Sequence, residues 1–363
     1  MKIESVEAGL YRIPLHTPLS DATHGEMTAF QLVTARVRDS DGADGLGYTY
    51  TVGRGGAAVL SLIARDLAPL LLGEDPRLRE RLWERMWWGL HYVGRGGPVT
   101  FAISAVDIAL WDLAARRAQE PLWRFLGGNR PRVKCYAGGI DLQFTEKQLL
   151  EQTERNLAKG FRAIKMKVGR PRLSEDLARV AAMRKLLGED VPLLVDANMR
   201  WRVDEAVRAS RALAEHGVFW LEEPIVPEDV EGHREIITQG ALPVAAGENL
   251  HGVNEFQRYI RAGAVSFPEP DVSNVGGITA WLKVAHLAEA HHLPVTSHGV
   301  HDLHVHLLAA VPNASFLEVH GFGLERFLPH PLSIEDGEAI APERPGHGVE
   351  FDWGALEKLR EAP

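Results

Sequence analysis

Asp196, Glu222 and Glu248 stand 26 and then 26 residues apart, and each closes a short apolar run: Pro192–Val195, Val218–Leu221 and Pro243–Gly247. Carboxylate oxygens are hard ligands, and three that converge suit a divalent cation such as Mg²⁺. A lone acidic residue at a strand end is ordinarily a helix N-cap or a solvated loop residue. Three in register on neighbouring elements point instead to a metal site. The neighbouring Glu223 alternates to the opposite face from Glu222 and reads as structural.

Other reactive side chains flank this set. Lys165 and Lys167 in Ile164-Lys165-Met166-Lys167-Val168 turn to one face of a strand. Two ammonium groups so placed repel each other, and burial adds to the effect, so a lysine pKa lowered toward that of a useful base is expected. Asp271 and His298 form a candidate dyad, in which the carboxylate would orient the imidazole and stabilise its protonated form. Glu318 sits between Leu317 and Val319, where burial is expected to keep it protonated as a hydrogen-bond donor.

The elements that must position these groups follow from the hydrophobic pattern. A spacing of 26 residues fits one βα unit, so each acid falls at the C-terminal end of a parallel strand, the face where barrel enzymes do chemistry. Eight candidate strands, Val133–Gly138, Ala163–Val168, Pro192–Asn198, Val218–Pro224, Pro243–Asn249, Ala264–Val272, Pro294–Gly299 and Ser315–Gly321, alternate with amphipathic helices. The fold class is α/β, a (β/α)₇β barrel over residues 130–324. Before it, residues 1–129 lack the βα period. Ile3–Pro14 and Gln31–Arg38 alternate as antiparallel strands, and two Asp-Gly pairs in 39–45 supply a hairpin turn to a strand at Leu46–Thr51. Helices are predicted at Ala57–Leu72, Pro76–Trp88 and Val99–Ala118, which makes this region a separate α+β domain. Residues 325–363 form a tail expected to return to it.

Bulk composition bounds the partners. The 363 residues are 45% hydrophobic and 25% charged, an ordinary globular balance. A formal net charge of -9 argues against a nucleic-acid surface and an anionic membrane, and the apolar stretch Ala57–Leu72 is interrupted by Arg65 and Asp66, so no membrane span is expected there. The single cysteine, Cys135, reads as a buried strand residue; it excludes an intrachain disulfide and makes a reducing cytoplasm the natural home.

Together, the Lys-Met-Lys strand, the Asp/Glu/Glu set, the Asp271–His298 pair and Glu318 resemble the enolase superfamily, and within it the mandelate racemase subgroup. Ala102–Asp112 looks like the signature helix of that family's capping domain, so the likeness covers nearly the whole chain. The resemblance implies Mg²⁺ on Asp196, Glu222 and Glu248 and removal of the proton α to a substrate carboxylate. The pairing of a Lys or His base with magnesium is an established property of this superfamily. Carried over, Lys167 is the base on one face with Lys165 beside it, His298 oriented by Asp271 is the acid/base on the other, and Glu318 and Asn198 contact the substrate. A small-molecule carboxylate substrate and a homo-oligomer, often an octamer, are implied with them.

Two outcomes fit two bases: racemisation or epimerisation of a 2-hydroxy acid, or loss of a β-hydroxyl to give a 2-keto-3-deoxy acid. The loop Asp21–Glu26 is polar where mandelate racemase has an apolar loop, and the first barrel strand ends Tyr136-Ala137-Gly138-Gly139 without that enzyme's serine. His24, Tyr48 and Tyr136 are therefore candidate substrate contacts for a polyhydroxylated acid, and dehydration of an acid sugar is the favoured reading. A zinc hydrolase could use the histidines from His298 to His306, but His304 and His306 face apart on a helix and read as helix-surface residues. A non-catalytic sugar-acid binder would not need the bases.

Overall fold

The computed structural model describes residues 1–320 and 322–361. Three antiparallel strands open the chain: β1 (Ile3–Asp21), β2 (Gly25–Asp39) and β3 (Asp44–Thr51). β1 and β2 run well past the expected Pro14 and Gln31, so residues 21–25 are the tip of a long hairpin. Helical turns at Gly56–Ser61, Leu62–Leu67 (π pitch) and Ala68–Leu71, then helices Arg79–Leu90 and Pro98–Arg117, complete this α+β unit. Pro98–Arg117 packs against β3 where Gly45 and Gly47 remove the side chains: a Cβ on Gly47 would lie 2.0 Å from the Ala105 carbonyl oxygen. This helix is the one among the described residues long and apolar enough to cross a membrane, and most of it is buried inside the fold.

The barrel follows as β4 (Arg132–Gly138), β5 (Ile164–Lys167), β6 (Leu193–Asp196), β7 (Val218–Glu222), β8 (Val244–Ala246), β9 (Phe267–Pro268) and β10 (Leu317–Val319). All pair in parallel, and β10 closes on β4. The seventh position has shrunk to one bridge, Val295 to Ala314, with the Thr296 amide donating to the Pro268 carbonyl at 3.0 Å. Seven helices lie between the eight positions, so the architecture is a (β/α)₇β barrel with a capping α+β domain. The eighth expected strand ended at Gly321, which lies outside the described residues. Tyr136, Trp220, Phe267 and Phe316 fill the barrel's interior as an aromatic floor, with Trp220 and Phe267 rings 4.9 Å apart. Cys135 is buried on β4, where burial pushes its thiol up to about 12.

The tail takes two paths. β11 (Ser333–Glu335) and β12 (Glu338–Ile340) form a hairpin that pairs with β4 of the barrel, which the sequence reading did not anticipate. Residues beyond it then run along the capping sheet, where the Glu361 amide donates to the Leu10 carbonyl at 2.9 Å.

A polar seam joins cap to barrel at the N-terminus of the helix Gly277–Ala290. Asp107 accepts from the Thr279 amide at 2.9 Å and its hydroxyl at 2.7 Å, Ser104 Oγ accepts from the Gly276 amide at 2.9 Å, and Trp83 Nε1 donates to the Gly276 carbonyl at 2.7 Å. The cap thus supplies the barrel helix with its N-terminal acceptors. Gly277 permits the approach, because its φ is +83° and a Cβ there would meet Asp107 Oδ2 at 2.4 Å. Gly277→Ala is expected to lower unfolding stability by about 2 kcal/mol or more, from left-handed strain plus overpacking. Chemical denaturation checks this; an unchanged midpoint contradicts the seam.

Candidate active site

The strand register brings the acids and lysines together. Lys167 pairs with Asp196 across β5 and β6, and Asp196 with Glu222 across β6 and β7. From this cluster Lys167 reaches a cavity of about 370 Å³ at the C-terminal ends of the strands, within the usual range for small-molecule sites. Lys167, Asn198, Glu248, Asp271, His298 and Glu318 line it from the barrel, and His24, Tyr50 and Arg54 from the cap.

Lys165 is fully buried and bridges Glu222 and Glu318, the latter at 2.6 Å, with Asp196 at 3.8 Å. Lys167 binds Asp196 at 2.5 Å. His298 Nδ1 lies 3.1 Å from Asp271 Oδ2, and Nε2 bonds Glu248. Asp271 is itself fixed by the Ser273 amide and hydroxyl, both at 2.7 Å, with the Tyr50 hydroxyl at 3.3 Å. Asp271 and His298, distant in sequence, are thus a hydrogen-bonded pair.

Two electrostatic expectations are corrected. Burial pulls both lysines down, yet Glu222 and Glu318 around Lys165, and Asp196 against Lys167, hold both above the ordinary lysine range. The carboxylates touch each ammonium directly, and their attraction outweighs both burial and the repulsion between the lysines. Burial likewise pushes Glu318 up, but Lys165, His320 and His298 outweigh it, so the carboxyl is ionised rather than protonated. For His298, burial lowers the value while Glu248 and Asp271 raise it, and the raise wins.

The donor set fits a divalent cation. Asp196, Glu222, Glu248, Asp271 and Glu318 are five carboxylates that face two lysines and the two imidazoles of His298 and His320. Burial pushes Glu222 up to about 8, with Lys165 pulling against it and Asp196 adding to it. Asn198 Oδ1 is buried with no partner beside Glu248, to which Asn198 Nδ2 donates at 3.4 Å. A buried oxygen without a donor, next to excess negative charge, is what a hard cation and its bound ligand satisfy.

Other expected contacts lie elsewhere. Tyr48 is wholly buried, stacks edge-on to Phe351 at 5.6 Å and does not line the cavity; Tyr50, two residues on, does. Tyr136 belongs to the aromatic floor, its ring 5.3 Å below the Lys165 ammonium, and does not reach the cavity. His304 and His306 are buried rather than on the helix surface. His304 Nδ1 meets the Gly299 carbonyl at 2.8 Å while Nε2 accepts from the Val272 amide at 2.9 Å; His306 Nε2 meets the His347 carbonyl at 2.9 Å. Glu223 is buried and accepts twice from Asn249 Nδ2, at 2.9 and 3.0 Å. Sequence reasoning passed over Trp220, which donates to Glu222 Oε2 at 3.2 Å, and His320, which lines the cavity beside Glu318. Alternation gave a signal for His320, since it follows Glu318 by two residues.

His24 lines the cavity from the hairpin tip. Asp21 accepts from the Thr23 and His24 amides at 2.8 and 2.7 Å, and its Oδ2 lies 2.8 Å from His24 Nδ1, while Thr23 Oγ1 donates to the Asn198 carbonyl. The Asp21 bond holds His24 above the ordinary histidine value; burial pushes Asp21 up, but His24 outweighs it and Asp21 lies low. The contribution of raised His24 is present below its unfolded value and is lost as pH rises through its folded one. That of depressed Asp21 is present above its unfolded value and is lost as pH falls through its folded one. The tip is therefore held best in the weakly acidic range between them. An NMR titration of His24 is expected to show the raised value, and Asp21→Asn to lower it; equal values in the two proteins contradict the pairing.

Comparison with known proteins identifies the family. Residues 6–127 match the family described as Mandelate racemase / muconate lactonizing enzyme, N-terminal domain, and residues 148–355 match Enolase C-terminal domain-like. The chain is 55% identical to a 3,6-anhydro-alpha-L-galactonate cycloisomerase of Streptomyces coelicolor, over 98% of this chain and 99% of that one. Its fold matches a racemase from Streptomyces coelicolor solved with bound magnesium, at a TM-score of 0.97 and 54% identity, covering 99% of this chain and 100% of the other. It also matches an L-talarate dehydratase from Polaromonas solved with Mg and L-glucarate, at 0.94 and 38%, covering 99% and 98%. The chain belongs to the enolase superfamily, in its mandelate racemase/muconate lactonizing enzyme subgroup.

Proposed function

We propose that this chain is a Mg²⁺-dependent enzyme that removes the α-proton of an acid sugar and expels the oxygen on the adjacent β-carbon, giving a 2-keto-3-deoxy acid. The observation that carries it is the placement of Lys167 and the Asp271–His298 pair on one cavity beside the Asp196, Glu222 and Glu248 carboxylates. The similarity to the cycloisomerase and the dehydratase supports an acid sugar as substrate. Mg²⁺, when held by those three carboxylates, supplies positive charge to the substrate carboxylate and competes for the negative charge that otherwise holds the lysines protonated.

The side chains then divide the work. Lys167 takes the proton from the α-carbon, and Lys165 and Glu318 hold the substrate carboxylate as its charge grows. His298, kept protonated by Asp271, gives its proton to the β-oxygen as the carbon–oxygen bond breaks and the electron pair leaves with oxygen. A β-hydroxyl departs as water, which is dehydration. An ether oxygen of an anhydro ring stays attached as a new hydroxyl, and the net change is isomerisation. Either enol then takes a proton at the β-carbon to become the 2-keto acid.

A second reading, racemisation or epimerisation, uses the same two bases with the β-oxygen retained; the likeness to the Streptomyces racemase favours keeping it. The deciding experiment is a panel of 3,6-anhydro-L-galactonate with aldonic and aldaric acids, assayed with Mg²⁺ for 2-keto acid and by polarimetry. Keto acid from at least one member supports elimination. Inversion at the α-carbon without keto acid replaces it with the second reading.

A further inference from the structure

The His320 side chain is only 6% exposed, lines the cavity and is used by none of the steps above. Its Nδ1 has no hydrogen-bond partner, and its Nε2 lies 3.5 Å from Glu318 Oε2, long for a strong bond. Ligand-capable atoms of His298, Glu318 and His320 lie within 4.8 Å of one another. Atoms so spaced share a point no more than about 2.8 Å from each, so one oxygen between them is within hydrogen-bonding reach of all three.

The imidazole is built in rather than incidental. Phe322 stacks edge-on to it at 4.8 Å and is itself packed on Tyr50 at 5.4 Å and Phe30 at 5.3 Å. A Cβ on Gly138 would stand 2.7 Å from Glu318 Oε1 and 3.2 Å from the His320 Cβ, so the glycine leaves room for both side chains to sit side by side. An imidazole packed on Phe322, with one buried nitrogen unpartnered and its side chain on the substrate cavity, can take a polar group from the ligand.

We propose that His320 binds the departing β-oxygen beside His298, and so commits the deprotonated substrate to elimination rather than to return of a proton at the α-carbon. This rests on the eliminative reading above. Burial disfavours the charged form of His320, which suits it to bind an oxygen as a neutral partner. The two imidazoles then have different tasks: His298 delivers its proton to the oxygen, and His320 holds that oxygen in line by a hydrogen bond, undergoing no net protonation change. Racemisation leaves the β-oxygen in place and has no need of this contact.

The test uses the full chain loaded with Mg²⁺ and whichever panel acid it converts, in D₂O, with His320→Phe and His320→Gln. Two rates are read: 2-keto acid formation, and deuterium entering the α-carbon of recovered substrate. The expected result for His320→Phe is a loss of about 10²-fold in kcat for keto-acid formation, with α-exchange within a few-fold of wild type and part of the loss recovered in His320→Gln. Thermal melting and Mg²⁺ affinity check folding, and if the phenylalanine variant does not fold, the glutamine variant carries the comparison. Keto-acid formation within about threefold of wild type, or equal losses in both rates, overturns the role of His320 while the eliminative reading stands. A wild-type chain that converts no panel acid overturns both.

Discussion

Lys167→Ala is expected to lower turnover of the cognate acid by about 10³-fold or more and to abolish deuterium entry at the α-carbon, since it removes the assigned base. Lys167 lines the cavity and is held by Asp196 alone among the acids within salt-bridge distance. Removing its side chain frees an oxygen of Asp196 and leaves Glu222 and Glu248 as they were. Mg²⁺ affinity in this variant is therefore expected to be equal or tighter, which separates loss of the base from loss of the metal. Lys165→Ala should behave differently. It strips the bridge between two buried carboxylates, Glu222 and Glu318, and is expected to destabilise the fold as well. A Lys167→Ala enzyme retaining more than a tenth of wild-type turnover contradicts the assigned base.

His298→Asn should separate the half-reactions. Asparagine has no proton to give at physiological pH, so carbon–oxygen cleavage is expected to fall by roughly 10²–10⁴-fold. Lys167 is untouched, so α-proton exchange continues, and substrate recovered from D₂O carries deuterium with retained configuration. Asp271→Asn should act in the same direction and more weakly, because Ser273 and Tyr50 still order the loop while the protonated imidazole loses its partner. Both variants keep the three candidate metal ligands. Equal loss of exchange and elimination in His298→Asn contradicts a division of labour between Lys167 and His298.

The parts of this site that could be read in the sequence were those fixed by period. Asp196, Glu222 and the two lysines fall where the βα repeat puts strand ends, and the register pairs Lys167 with Asp196 and Asp196 with Glu222. Depth along a strand was not legible. Tyr48 and Tyr50 share a face, and so do Tyr136 and Gly138, but which member reaches the mouth depends on how the cap docks and where the aromatic floor lies. The apolar runs also overstate strand length. Ala264–Val272 contributes two paired residues, and Pro294–Gly299 one bridge, because pairing stops where loops turn away to carry Asp271 and His298.

Helix faces misled in another way. His304 and His306 do face apart, but both faces of His301–Ala310 are buried, one against the backbone around Gly299 and Val272, the other against His347 and the Trp123 amide. The signs of the lysine and Glu318 shifts depended on a competition among burial, like charge and opposite charge. Only the distances decide it, since Lys165 to Glu318 is 2.6 Å.

The central claim is that one cavity removes an α-proton and expels a β-oxygen. It is tested most directly by NMR of the Mg²⁺-loaded enzyme acting on the converted acid in D₂O. The account predicts a 2-keto-3-deoxy acid carrying one deuterium at C3, from protonation of the enol by solvent-derived deuterium. Its formation should stop in Lys167→Ala. Recovery of the α-epimer with its β-oxygen intact and no keto acid contradicts the account.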